Sequence, residues 1–214
     1  RDSEPDEIYK TIIVAVLSSP HFLFRVEKDP EQNDDDGIRE LDGFELASRL
    51  SYFLWSSMPD QRLLDLAKSG DLIRRGVLIA ETKRMLLDPK AIALVDNFAG
   101  QWLQLRDVSR LMPDPDLFPD FDGELRVSMR RETELFFATM IREDRSVLEF
   151  LTADFTYVNQ RLARHYGLEP VVGDGFQRVT LAKGRRGVLT HASILMLTSN
   201  PTRTSPVKRG KWIL

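Results

Sequence analysis

Apolar residues recur at helical spacing along most of the chain. Ile8, Ile12 and Val16, with Ile13 and Leu17 beside them, predict a first helix over 4–18. Ser18-Ser19-Pro20 ends it. Phe44, Ala47, Leu50 and Leu54 line one face of a second helix that stops near Trp55. Pro59-Asp60 opens a short third helix through Lys68, and Asp71 has the character of an N-cap for a fourth that ends near Leu87. The next helix starts at Pro89 and carries Leu94, Val95, Phe98, Trp102 and Leu105 on one face, with Asn97, Gln101 and Gln104 at its edge. Pro113, Pro115 and Pro119 make 112–121 a rigid connection. Asp122 then caps a long helix over 123–142, and shorter helices come after it near 146–151 and 159–166. Gly167, Pro170, Gly173 and Gly175 interrupt the pattern, and 176–181 reads as a short strand. Gly187 precedes an apolar helix over 188–197, a polar loop spans 198–205, and Ser205-Pro206 starts a last helix. The fold class expected is mainly α: an irregular multi-helix bundle with at most a short strand pair near the C-terminal end. Strands are too few for a doubly wound sheet.

Composition narrows the chemistry. The 214 residues include no cysteine, which excludes disulfides, thiolate metal sites and covalently attached c-type haem within this segment. No apolar run approaches the ~18–20 residues of a membrane span. The net charge of -3 hides an asymmetry. Residues 27–45 hold nine acids and two bases, and 27–42 read as an exposed acidic loop. From 175 to 214 there are eight bases and no acid. Such a segment either forms an interaction surface or faces another part of a longer protein. No nucleic-acid module accompanies it. The chain starts at Arg1 and stops at Leu214 inside an amphipathic pattern, so an internal piece of a longer protein is expected, with Trp212 and Ile213 exposed.

Candidate chemistry concentrates in the long helix and the polar loop. Glu132 falls inside the apolar arc of Leu125, Met129, Leu135, Phe136 and Met140, whereas Glu134 falls outside it and is spaced for a surface pair with Arg130. An internal carboxylate requires a partner or a proton. Glu132 is therefore either an acid, base or ligand of perturbed pKa, or half of a structural Glu–Arg pair. His21, His165 and His191 have no metal-type spacing, and no metal site is expected. His191 shares a helix face with Val188, Ile194 and Leu195, as a satisfied core histidine or as a second catalytic candidate beside Glu132. His165, near a helix end, suits an imidazolium. In the loop, Asn200, Arg203 and Thr204 are candidates to bind an anionic substrate group, against the alternative that the loop's short polar side chains only cap helices.

Several segments carry a resemblance: Leu17-Ser18-Ser19-Pro20-His21-Phe22-Leu23-Phe24-Arg25, Ala47-Ser48-Arg49-Leu50-Ser51-Tyr52-Phe53-Leu54-Trp55, Asn97-Phe98-Ala99-Gly100-Gln101-Trp102-Leu103, Arg131-Glu132-Thr133-Glu134-Leu135-Phe136 and the long run from Leu197 through Asn200-Pro201-Thr202-Arg203-Thr204-Ser205-Pro206 to Trp212. The chain resembles large proteins of planctomycete and verrucomicrobial type in which domains of unknown function accompany a c-type cytochrome domain. The resemblance implies a parent that is exported, periplasmic or extracellular, and linked to electron transfer. It implies haem c in the parent and no cofactor within this segment. It implies neighbouring domains of the same chain, a cytochrome c domain among them, as partners. It also implies a helical domain over 1–182 and the start of an adjacent domain over 183–214. Two roles are then open. In one, the segment is the non-haem portion of an oxidoreductase, with Glu132, His191, Asn200 and Arg203 converging on one cleft. In the other, it is a scaffold that docks its neighbours without catalysis. A hydrolytic activity is a third reading, resting on the polar loops alone.

Overall fold

The computed structural model describes residues 5–24, 27, 39–173, 175–181 and 184–214; the side chain of His21 is not among those described. The acidic loop expected at 27–42 therefore lies mostly outside the described residues, as does the expected domain boundary at 182/183. Eleven α-helices are present among the described residues: α1 (Pro5–Leu17), α2 (Pro20–Leu23), α3 (Gly43–Trp55), α4 (Gln61–Ser69), α5 (Arg75–Leu87), α6 (Gly100–Trp102), α7 (Gly123–Arg142), α8 (Glu149–Thr152), α9 (Gln160–Tyr166), α10 (Ala192–Leu197) and α11 (Pro206–Ile213). Two short strands, β1 (Phe155–Val158) and β2 (Gln177–Thr180), pair antiparallel, with Phe155 opposite Thr180 and Val158 opposite Gln177. The fold is mainly α, with one strand pair toward its C-terminal end.

Several helix starts carry a side-chain cap, and the one at α3 is not marked by the sequence. Asp42 and Glu45 form a reciprocal capping box at the start of α3. Asp60, Asp122, Asn159 and Ser205 each accept a backbone N–H at the start of α4, α7, α9 and α11. Asp71 departs from expectation. It pairs with Arg74 at 3.0 Å and accepts from the Ser69 hydroxyl at 2.9 Å, so a turn intervenes and α5 begins only at Arg75.

Helix α7 is the spine. Its side chains join two of three apolar clusters. Phe136, Phe137 and Met140 pack with Val95, Leu103, Leu105, Phe155, Val188 and Ile194. Leu125 and Met129 pack with Val158, Leu162, Ala163 and Ala192. A third cluster unites α3, α4 and α5 through Ala47, Leu54, Trp55, Leu63, Leu72 and Met85, and Ile141 of α7 packs against it. Val188, Ala192 and Ile194 thus share cores with residues far on the other side of position 182. Trp212 also packs against the first cluster, contrary to the exposure expected of it; Ile213 is exposed.

Two expected helices are broken. The one from Pro89 becomes a 3₁₀ turn (Pro89–Ala91) and a π-helical segment (Leu94–Ala99) before α6. A π-turn takes up an extra residue and rotates the helical face beyond it. Leu94 and Val95 stay buried, while Phe98 and Trp102 turn outward and stack at 5.7 Å between ring centroids. The helix over 188–197 splits into a 3₁₀ turn (Val188–Thr190) and α10, with His191 extended at the break (φ -68°, ψ 139°).

Candidate functional site

Three carboxylates are buried among the described residues, and their partners differ in kind. Glu81 is held between two guanidinium groups, Arg62 at 2.6 Å and Arg84 at 2.7 Å. Glu134 is not the surface group expected; it is buried and pairs with Arg130 at 2.6 Å and Arg131 at 3.2 Å. Glu132 is fully buried, yet no cation lies within ion-pair distance among the described residues. The expected structural Glu–Arg pair is absent there. Instead the Thr156 hydroxyl of β1 donates to Glu132 Oε1 at 2.6 Å, and the Tyr166 hydroxyl of α9 donates to Oε2 at 2.6 Å. Burial pushes the Glu132 carboxyl up to about 7, opposed by the Thr156 and Tyr166 hydrogen bonds and by the more distant charge of Arg185.

Tyr166 links this buried acid to the surface. Its oxygen accepts the Ala192 backbone N–H at 2.7 Å while its hydroxyl donates to Glu132. Burial, together with the charge of Glu132 and the hydrogen bond to it, raises the phenol well above its ordinary value, so the hydroxyl stays protonated. The Arg185 guanidinium lies over the Tyr166 ring, 4.1 Å from its centroid, and donates to the Thr190 carbonyl at 3.0 Å.

His191 completes the buried polar group. Its Nδ1 lies 2.9 Å from the Thr133 hydroxyl, which in turn is 2.7 Å from Ser193 Oγ. Its Nε2 lies 3.5 Å from Thr156 Oγ1, and its ring meets Phe136 edge-on at 4.8 Å. Burial, reinforced by Arg185, holds the imidazole down at about 3, so it is neutral. His165 does not carry the favourable helix-end imidazolium expected from position alone; partial burial and the charges of Arg161 and Arg185 lower its pKa.

In front of Tyr166 opens a pocket of about 450 Å³. Its walls come from the proline-rich 111–121 segment, α7, α9, α10 and the 199–204 loop. Ser199 and Thr204 form an antiparallel bridge across that loop, and the Asp114 amide donates to the Pro201 carbonyl at 3.1 Å, joining the loop to the proline-rich segment. Leu117, Phe118, Phe121, Met129 and Met196 make one apolar side. Arg185, Arg203 and Lys208 also line the pocket, and none has an acid within ion-pair distance among the described residues. Asp120 is the one carboxylate on the wall among the described residues.

Asn200, Arg203 and Thr204 all line this pocket. Glu132 and His191 do not; they lie behind Tyr166 and Ala192, which do. Sequence reasoning missed Tyr166, Arg185, Thr156 and Lys208. Tyr166 stands at the end of a helix stopped by Gly167, a position that reads as a boundary, and Arg185 sits in a basic run with no periodicity to place it. Among the described residues no group of three or more His, Asp or Glu side chains could hold a metal ion.

A family model described as a protein of unknown function (DUF1592) matches residues 41–168, more than half of the chain. The chain belongs to this family. A second model, likewise a protein of unknown function (DUF1588), matches residues 185–214. No curated protein and no solved structure matches the chain. The pocket draws on both matched regions: Tyr166 and Met129 come from the first, Arg185, Asn200 and Arg203 from the second.

Proposed function

We propose that this chain is the non-haem helical portion of an exported, cytochrome c-linked oxidoreductase, and that it contributes a binding pocket for an organic anion. The single observation that carries the reading is the pocket wall: three cations without acid partners among the described residues, set against an apolar side. Charge without an internal partner at a concave, partly desolvated surface favours an anionic ligand. Arg185 holds its charged end, and Asn200, Arg203 and Thr204 add polar contacts from the loop. Glu132 and His191 serve from behind the wall. The electron-transfer setting rests on the family resemblance and on the short name of the second family model, PSCyt3. With no cysteine, this chain has no residue to attach haem c, so the haem belongs to a neighbouring domain. The second matched region, 185–214, packs into the same cores as the first.

The test uses the purified full-length protein and benzoate as a probe. Arg185→Ala is expected to weaken benzoate binding about tenfold or more, and the more exposed Arg203→Ala less, each with the melting temperature retained. Equal affinity in wild type and both variants overturns the reading. A second role has its own observation: Ile8, Ile12, Ile13 and Val16 of α1 are each half exposed or more, and none of that helix is buried. Unchanged turnover of organic acids with weakened domain association on truncating α1 would make docking of neighbouring domains the main task of the chain.

A further inference from the structure

Tyr166, one of the residues lining the pocket, carries a hydroxyl with one hydrogen and two possible directions for it. Tyr166 oxygen accepts the Ala192 N–H, so one lone pair is committed. Its hydrogen now points at Glu132 Oε2, which requires that oxygen to be bare. Thr156 supplies the other hydrogen bond to the same carboxylate. If Glu132 takes up a proton on Oε2, the direction of this bond reverses: the acid donates to the Tyr166 oxygen, whose second lone pair is then filled, and the phenolic hydrogen is released. The wall beyond Tyr166 is the pocket, and Arg185 lies over the same ring with a single acceptor, Thr190, among the described residues.

We propose that the pocket takes an aromatic or aliphatic carboxylate whose oxygens are held by Arg185 and the Tyr166 hydroxyl, and that its binding draws one proton from solvent onto Glu132. This rests on the anion-pocket reading above. Atoms and charge balance: carboxylate, ionised Glu132 and one solvent proton give bound carboxylate and neutral Glu132, with no bond to carbon changed. Two effects drive the transfer. The new donor–acceptor direction lets Tyr166 donate to the ligand. The ligand's charge also cancels the field of Arg185, which in the empty pocket favours the ionised form of Glu132. The other groups facing Glu132 do not compete for the proton. Thr156 does not titrate, Tyr166 already holds its proton, and His191 stays neutral down to about 3. His165, beside Tyr166 on the pocket wall, has a pKa lowered by burial, Arg161 and Arg185; a proton gained there yields no carboxyl band, so the infrared readout separates it from Glu132. Glu132 is in this sense a proton-holding and positioning group that acts on the ligand through Tyr166.

The full-length protein and benzoate supply the test. At pH 8, in weakly buffered solution followed by a pH electrode, wild type is expected to take up close to one proton per benzoate bound. At pH 5.5, where Glu132 is already protonated, Glu132 contributes no uptake and its carboxyl band does not grow. Benzoate affinity falls about tenfold per pH unit above about 7. Glu132→Gln keeps a neutral partner for Tyr166, binds benzoate with no pH dependence in that range and takes up no proton. Because that variant alters a buried site, a second readout needs no variant: infrared difference spectra of wild type at pH 8 gain the carbonyl band of a protonated carboxyl when benzoate is added. Absence of benzoate binding overturns the anion-pocket reading and this proposal together. Benzoate binding without proton uptake, or without the carboxyl band, overturns this proposal alone.

Discussion

Glu132 and His191 lie in one buried polar group, and burial acts on them in opposite senses. Folding moves the Glu132 carboxyl from the ordinary 4.5 up to about 7, so the folded chain holds a proton there that the unfolded chain has lost between those values. Stability from this group is complete below about 4.5 and is lost as pH rises through about 7. Folding moves His191 from 6.5 down to about 3, so the unfolded chain binds a proton that the folded chain refuses. Its contribution is complete above about 6.5 and is lost as pH falls through about 3. The two windows overlap from about 4.5 to about 6.5, and there the slopes cancel. Glu132→Gln removes one side of the cancellation. Relative to wild type, its stability is expected to climb with pH across that overlap, by up to about 1.4 kcal/mol per pH unit. Urea midpoints measured at several pH values check this; parallel profiles for the two proteins would remove Glu132 as a buried titrating group. Position alone picked out Glu132, because it falls inside an apolar arc. Its real partners were not legible, since Thr156 and Tyr166 reach it from elements 24 and 34 residues away.

At the level of elements, local signals carried what is local. Asp122 and the apolar stripe behind it delimit α7 as the spacing predicts, and Asn159 and Ser205 mark true helix starts. Elements decided by tertiary contacts were read differently. The 188–197 stretch looks like one helix, but His191 is drawn out of it to reach Thr133 on α7. Gly187 sets the entry to the 3₁₀ turn that precedes the break. It sits at φ 54°, its amide donates to the Ala153 carbonyl at 2.9 Å, and a Cβ there would overlap the Phe150 carbonyl and the Leu151 backbone at α8. Gly187→Ala therefore meets both backbone strain and collision with atoms that cannot rotate away. A loss of about 3 kcal/mol or more is expected by denaturant melts. Displacement of the adjacent Arg185 would lower benzoate affinity in whatever protein still folds. A variant as stable as wild type would mean that α8 yields easily, and that the turn does not fix Arg185.

The whole molecule is built around one helix. α7 contributes to the core of the strand pair, to the core beneath the pocket and, through Ile141, to the α3–α5 group. Glu132 is set midway along it, where those cores meet and water is excluded. This arrangement explains how an acid far from the surface bears on a surface pocket: one side chain, Tyr166, spans the distance. The sequence marked the pocket's loop through Asn200, Arg203 and Thr204 and its spine through Glu132. It did not mark the opposite lip, because the proline-rich 112–121 segment reads as a spacer and only packing turns it into a wall.

The two lips of that pocket are tied by one backbone contact, the Asp114 amide on the Pro201 carbonyl. Asp114 lies between Pro113 and Pro115, neither of which has an amide hydrogen, so it is an isolated isotope-exchange clock at the pocket mouth. Its exchange with deuterated solvent counts how often the lips part, independently of global unfolding. A ligand that bridges the proline-rich wall and the 199–204 loop closes that local opening. Benzoate at saturation is expected to slow exchange at Asp114 while leaving buried amides of α7 unchanged. Equal rates with and without benzoate would mean that the lips part as freely over a filled pocket as over an empty one.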